Sequence, residues 1–383
     1  MIVNMKHIIS RCIHFLIFFL IHGRFDKILS LLQERKENWA ILLCTSRYYY
    51  NYRHYVNALS VYKTLKDAGF RDDRILFLNT ENEVTCDTRN PYPGLVYSDL
   101  PSIQSSRMKK ENKKYDYTTT HIFFNQSFTS TNGICSDSSN HVEVDYIGDE
   151  VTVDAFLRLF DGRIHSLTEI SRRLDSTTKS NIFVYMTGHG GDEFFKFHDT
   201  KEMTARDLGN AIKEMYEKDR FREILLVIDT CQAATMCNYM EVPGVYCIGG
   251  SGVGENSYAY EPKQELGLPV TDRFTLHFTK YIQREVIKPS KSKMKTKKSI
   301  IDLMNSMDKR FLFANPILMD PVVGSRHPSS VALAEFFTPA TKEYKDTTIR
   351  RLPMYSEDSV SRENRTYHYY DFDDFFTNND PNY

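Results

Sequence analysis

Two apolar runs constrain this chain more than any other feature of its sequence: Asn181-Ile-Phe-Val-Tyr-Met-Thr-Gly-His189-Gly-Gly and Glu223-Ile-Leu-Leu-Val-Ile-Asp-Thr-Cys231-Gln. Each is short, rich in Val, Ile and aromatic residues, and stops at glycine or polar residues, the pattern of a parallel strand buried on both faces. In an open parallel sheet, reactive groups gather beyond the carboxyl ends of the strands. His189 and Cys231 are therefore expected to emerge side by side, at a position suited to chemistry and not to packing.

The rest of the chain supplies what such strands need. Trp39-Ala-Ile-Leu-Leu-Cys-Thr45 reads as a first buried strand, and a helix follows from about His54 to Ala68, with Val56, Leu59, Tyr62 and Leu65 at helical spacing and Gly69 as its stop. Arg74 to Asn79 completes a βαβ unit. Helices are expected at Val153 to Phe160, Thr204 to Lys218 and Thr271 to Val286, a strand at Val245 to Gly250, and an edge strand at Ser330 to Phe337. This alternation implies an α/β fold, a mostly parallel sheet with helices on both faces. It fills residues 38–337, interrupted by a Ser-, Asn- and Lys-rich low-complexity insertion at about 98–140 that is too long for an ordinary connection. The tail, 338–383, has charge and aromatics without period and is expected to be flexible.

Composition excludes some classes. A formal net charge of -1 over 383 residues gives no reason to expect nucleic acid, and the basic run Lys288 to Lys298, without interleaved aromatics, reads as a solvated loop. In the N-terminal segment, 1–37, Lys6 and Arg11 precede the apolar stretch Cys12 to Ile21, which is shorter than a spanning helix needs and fits a secretory signal. His14 within the stretch and the missing small-x-small cleavage site leave an uncleaved anchor or an amphipathic first helix open. The seven cysteines form no CxxC pair, so a structural zinc is not expected. Cys44 and Cys247 sit in strand-like runs and read as small buried hydrophobes, whereas Cys86 lies in a polar loop and would tend to pair in an oxidising compartment. Sequons at Asn125 and Asn364 are compatible with a secretory route.

A thiol attacks an acyl carbon once its proton is taken, and an imidazole a hydrogen bond away does this. Gly188, Gly190 and Gly191 around His189 let backbone approach a substrate closely. The amides of Gly190 and Cys231 are candidates for an oxyanion hole. No glycine-rich phosphate-binding signature follows any strand, which argues against a nucleotide-binding domain.

Tyr-Met-Thr-Gly-His189-Gly-Gly and Ile-Asp-Thr-Cys231-Gln resemble the catalytic motifs of the legumain-type cysteine peptidases, of caspase-like fold. Asn38 to Arg47, Asn51-Tyr-Arg-His54 and Cys86-Asp-Thr-Arg-Asn-Pro91 are similar to one branch of that family, the catalytic (K) subunits of GPI transamidases, over about Asn38 to Phe337. The resemblance implies Cys231 as nucleophile, His189 as base and Asn51 as the residue orienting the histidine. It implies a pocket for the residue ahead of the scissile bond from Arg53, His54 and Asp229, although Arg53 and Asp229 could equally be a structural ion pair. It implies no cofactor for the chemistry and a structural Ca2+ on Asp72, Glu143 and Asp145, residues that read alone are an ordinary acidic surface. It further implies a disulfide from Cys86 to the T subunit, other transamidase subunits, proproteins and a GPI lipid as partners, and the lumenal side of the endoplasmic reticulum. The sequence departs from the pattern in its insertion, in Ala233-Ala234 after Gln232, and in having no C-terminal hydrophobic helix, so membrane association is expected through the N-terminal segment or partner subunits.

Overall fold

The computed structural model describes residues 38–80, 84, 87–91, 95–96, 124–125, 142–165, 167–264, 266–289 and 297–339. The central sheet has seven strands: β1 (Trp39–Cys44), β2 (Ile75–Asn79), β3 (Tyr146–Ile147), β4 (Asn181–Thr187), β5 (Glu223–Asp229), β6 (Val245–Gly249) and β7 (Ile317–Leu318). Their spatial order is β7-β6-β5-β4-β1-β2-β3. All neighbours pair in parallel except β6 and β7, so the edge strand is antiparallel.

Both faces of the sheet are covered, which is why the strand sequences show no alternation. Ala40, Leu42, Phe183, Tyr185, Leu225 and Val227 point to one core, shared with helices α1 (Tyr52–Ala68), α4 (Arg273–Tyr281) and α5 (Ile300–Ser306). Ile41, Leu43, Ile182, Val184, Leu226 and Ile228 point to the other, shared with α2 (Val153–Asp161) and α3 (Ala205–Glu217). Local signals close these helices: Gly69 takes the left-handed conformation after α1 (φ 97), and the Thr204 hydroxyl accepts from the Asp207 amide at the start of α3.

Three expectations are corrected. Ser330 to Phe337 is not an edge strand: Ala334–Phe337 is a short helix whose Phe336 and Phe337 pack into the α1/α4 core, and the antiparallel edge is made by Ile317–Leu318. A short apolar run cannot be assigned by periodicity alone, and here its phenylalanines find a helical solution. Cys247 is buried but is not a free thiol; it is bonded to Cys237, with Cα atoms 5.8 Å apart. The helix expected over Thr271 to Val286 is α-helical only as far as Tyr281 and continues as a π-helix, Ile282–Ile287. Cys44 is buried and carries no disulfide. A small antiparallel sheet, Gly190–Gly191, Phe194–Phe197 and Lys201–Thr204, follows β4 and was not anticipated. Leu95–Val96, just ahead of the insertion, pairs with Phe124–Asn125 within it; the rest of the insertion lies outside the described residues, as do the N-terminal segment, Cys86, Asn364 and nearly all of the tail.

Candidate active site

The ladder between β4 and β5 sets the site. Their last paired residues are Thr187 and Asp229, and two residues beyond each stand His189 and Cys231. Both side chains are half-buried, at the carboxyl edge of the sheet. Thr187 and Asp229 face the α1/α4 side, Thr187 accepting from Asn57 Nδ2 of α1 at 3.2 Å and Asp229 accepting from Thr275 Oγ1 of α4.

The start of α1 supplies the histidine's partner. Asn51 occupies the N-cap position of α1, where an asparagine ordinarily accepts from the helix's first amides. It makes no such bond. Its Nδ2 donates to the Arg47 carbonyl (2.8 Å), which fixes the amide so that Oδ1 meets His189 Nε2 at 2.8 Å. In this network the Nε2–H donates to Asn51, and Nδ1 is left with its lone pair. Burial, and then the Arg53 charge, hold the His189 pKa below its ordinary value, so the imidazole is neutral and able to accept a proton at neutral pH. His54 stands edge-on to His189 with ring centroids 4.8 Å apart, and burial pushes its own pKa well down.

The turn after Cys231 is fixed at many points. Gln232 is left-handed (φ 52), its amide donates to Glu255 O (2.8 Å), and its Oε1 accepts from the Gly254 amide (2.9 Å). The Ala233 amide donates to Ser251 Oγ and the Ala234 amide to Ser251 O. The Cys237–Cys247 disulfide then ties this turn to β6. Left-handed backbone at a residue other than glycine costs free energy and is characteristic of sites whose geometry is held by their surroundings.

Arg53, His54 and Asp229 are brought close, but through a residue that sequence reasoning missed. Arg53 Nε donates to Asp272 Oδ1 at 3.1 Å, so the ion pair considered between Arg53 and Asp229 is made with Asp272 instead. Asn57 Nδ2 donates to Asp272 Oδ2 (2.6 Å), and Asn57 Oδ1 accepts from the Asp272 amide and Thr271 Oγ1, each at 2.9 Å. Asp229 accepts from Ser257 Oγ (2.7 Å) as well as from Thr275. Burial, reinforced by the Asp272 charge, lifts the Asp229 carboxyl to about 7. Asp272 begins α4 and reads in the sequence as an ordinary N-cap; like Asn51 it makes no side-chain cap bond.

Asp72, Glu143 and Asp145 also lie together, beside β2. Burial and the Asp72 charge raise Glu143, while burial, with Glu143 adding to it, lifts Asp145 to about 7. The Asp72 oxygens are already engaged by Tyr62 OH (2.5 Å) and Lys66 Nζ (2.7 Å), and an Asp145 oxygen accepts from the Phe77 amide (2.8 Å). Among the described residues no three Asp, Glu, His or Cys side chains converge as a metal ion requires. The trio as it stands does not fit a cation, and no step below depends on one.

Residues 38–308 match the Peptidase C13 family. The chain is 33% identical over 311 residues to the GPI-anchor transamidase of Schizosaccharomyces pombe, covering 81% of this chain and 72% of that one. It is 34% identical over 320 residues to the GPI-anchor transamidase of Homo sapiens, covering 84% and 71%. It is 37% identical over 249 residues to the putative GPI-anchor transamidase of Caenorhabditis elegans, covering 65% and 68%. A solved structure of caspase-1 from Spodoptera frugiperda covers 76% of this chain and 88% of its own at 10% identity, with a TM-score of 0.35, too distant a likeness to add to the topology above. With the cysteine and histidine motifs both inside the matched residues, on adjacent strands of one parallel sheet, the chain belongs to the Peptidase C13 family.

Proposed function

We propose that this chain is the catalytic subunit of a GPI-anchor transamidase, a cysteine-dependent enzyme of the Peptidase C13 family. The observation that carries the chemistry is the Asn51–His189 hydrogen bond beside the β4–β5 ladder, which leaves the other imidazole nitrogen with its lone pair, on the strand end adjacent to the one that carries Cys231. His189 Nδ1 takes the Cys231 thiol proton as sulfur attacks the carbonyl of the attachment residue. The amides of Gly190 and Cys231 are the candidate donors to the oxyanion, each such donor being worth about 3 kcal/mol. Collapse breaks the C–N bond, His189 returns the proton to the departing amine of the C-terminal signal, and a thioester remains on Cys231. The ethanolamine amine of a GPI lipid attacks that thioester, gives a proton to His189 and expels the thiolate. Arg53, His54 and Asp229, joined by Asp272, form the pocket ahead of the scissile bond.

Use of water in the second step would instead make the chain a legumain-like hydrolase. The two are separated by product analysis of a peptide carrying an attachment signal: with hydroxylamine at millimolar concentration we expect the hydroxamate to dominate over the free acid. A product that stays free acid at every amine concentration would favour the hydrolase. A catalytically silent scaffold would give neither product.

The partners follow from the same reading. The relatives are transamidases, and this chain would act within a complex of transamidase subunits at the lumenal side of the endoplasmic reticulum, with Cys86 bonded to the T subunit. The Cys237–Cys247 bond supports an oxidising compartment. Among the described residues no helix is long and apolar enough to cross a membrane. On non-reducing gels of the native complex we expect a higher-mass adduct that disappears both with reductant and in Cys86→Ser; its survival in Cys86→Ser would remove Cys86 from that role.

A further inference from the structure

The residues one step before the catalytic pair form a row across the sheet. Extending the pairings of Cys44 with Thr187 and of Asp229 with Thr187 by one position places Thr45, Gly188 and Thr230 side by side. Both threonines are buried, Thr45 fully and Thr230 to within 1%. Neither hydroxyl has a hydrogen-bond partner among the described residues. Each stands against a glycine flanking His189: a Cβ on Gly188 would fall 2.4 Å from Thr45 Oγ1, and one on Gly190 would fall 2.7 Å from Thr230 Oγ1 and 3.1 Å from Thr230 Cγ2.

Valine has the same branched shape and β-propensity as threonine without the hydroxyl, and a buried hydroxyl with no partner costs stability. Position 230 thus carries a polar group that packing does not require, directly ahead of the nucleophile and against the glycine whose amide faces the reaction. We propose that Thr230 is a positioning residue for acyl transfer: its Oγ1 and Cγ2 form the wall that fixes Gly190, and its hydroxyl dipole turns toward the negative charge that develops at the Gly190 and Cys231 amides. An O–H held by no partner reorients without breaking a bond, and in a water-poor setting its dipole acts strongly on charge close by. Being buried, it acts through Gly190 and does not touch substrate.

The inference rests on Cys231 as nucleophile and not on which acceptor resolves the thioester, so the readout is the acylation step. The full chain in its native complex would be given a peptide amide substrate carrying an attachment signal, chosen so that breaking the C–N bond at Cys231 limits turnover and kcat reads acylation. Thr230→Val is expected to lower kcat by about 10-fold, less than loss of a direct oxyanion donor, with KM unchanged. The same variant should raise Tm by about 2–4 °C, since it removes an unsatisfied buried group. Thr230→Ser, which keeps the hydroxyl, should hold kcat within about 3-fold of the parent. A Thr230→Val enzyme with parental kcat, a Thr230→Ser enzyme as impaired as the valine variant, or a lowered Tm in Thr230→Val would each overturn the proposal. Persistent acylation in Cys231→Ala would overturn the nucleophile assignment itself, a distinct result.

Discussion

Replacing Cys231 or His189 by alanine should lower acyl transfer by at least about 10³-fold, with neither change unfolding the protein. Cys231 is half-exposed and makes no disulfide, so the loss of its sulfur opens no sealed cavity. His189→Ala frees the buried Asn51 Oδ1, but the imidazole that covers it is half-buried, so water can enter where the ring stood, and Asn51 keeps its bond to Arg47. Because thiol and imidazole act as one unit, the double variant should be no slower than the slower single variant. The check is acylation rate together with near-UV circular dichroism. A single variant retaining a tenth of the activity, with native spectra, would show that the pair does not carry the reaction.

The second large effect is on stability. Asp272 is 3% exposed and accepts from Arg53 and Asn57, while Asp229 beside it holds its proton up to about 7. Asp272→Ala takes the acceptor from the Arg53 Nε–H and one of the two acceptors from Asn57 Nδ2, which keeps Thr187 Oγ1, and breaking a buried pair on one side typically costs about 3–5 kcal/mol. Arg53 is 22% exposed, so the lower end of that range, roughly 3 kcal/mol, is expected. The pH dependence has a definite sign. A carboxyl whose pKa is raised on folding contributes stability below its unfolded value, and that contribution is lost as pH climbs through the folded value. For Asp229 the loss falls between the ordinary carboxylate range and about pH 7. In Asp272→Asn the neighbouring negative charge is gone, Asp229 releases its proton at lower pH, and its share of the decline shrinks. Urea unfolding of parent and variant at pH 5 and pH 8 measures this; an unchanged difference between the two pH values would refute the coupling.

What the sequence could and could not reveal follows from the range of each interaction. β1, β4, β5 and β6 were legible because a strand covered on both faces must be apolar at every position, a requirement local to the run itself. Once those strands are parallel neighbours, His189 and Cys231 stand at the ends of adjacent strands, on the same edge of the sheet. Asp272 was hidden because its role is set by contacts from α1, far away along the chain, while its own neighbourhood matches any helix start. Asn51 was found by resemblance to the family motif, not by its local pattern, which for the same reason says only N-cap. The Cys237–Cys247 bond was missed because β6 reads as a buried strand whether or not its sulfur is linked. The small sheet after His189 has short strands containing glycine, lysine and glutamate, where neither period nor propensity is strong.

The ladder under the active site has one more implication. β4 and β5 are paired from Asn181 with Glu223 through Thr187 with Asp229, so His189 and Cys231 each follow, by two residues, strands held one inter-strand spacing apart, about 4.8 Å, in the middle of the sheet. An enzyme built this way cannot be turned off by pulling its reacting groups apart without breaking the centre of its sheet, so restraint on its activity has to come from controlling what reaches the sheet edge.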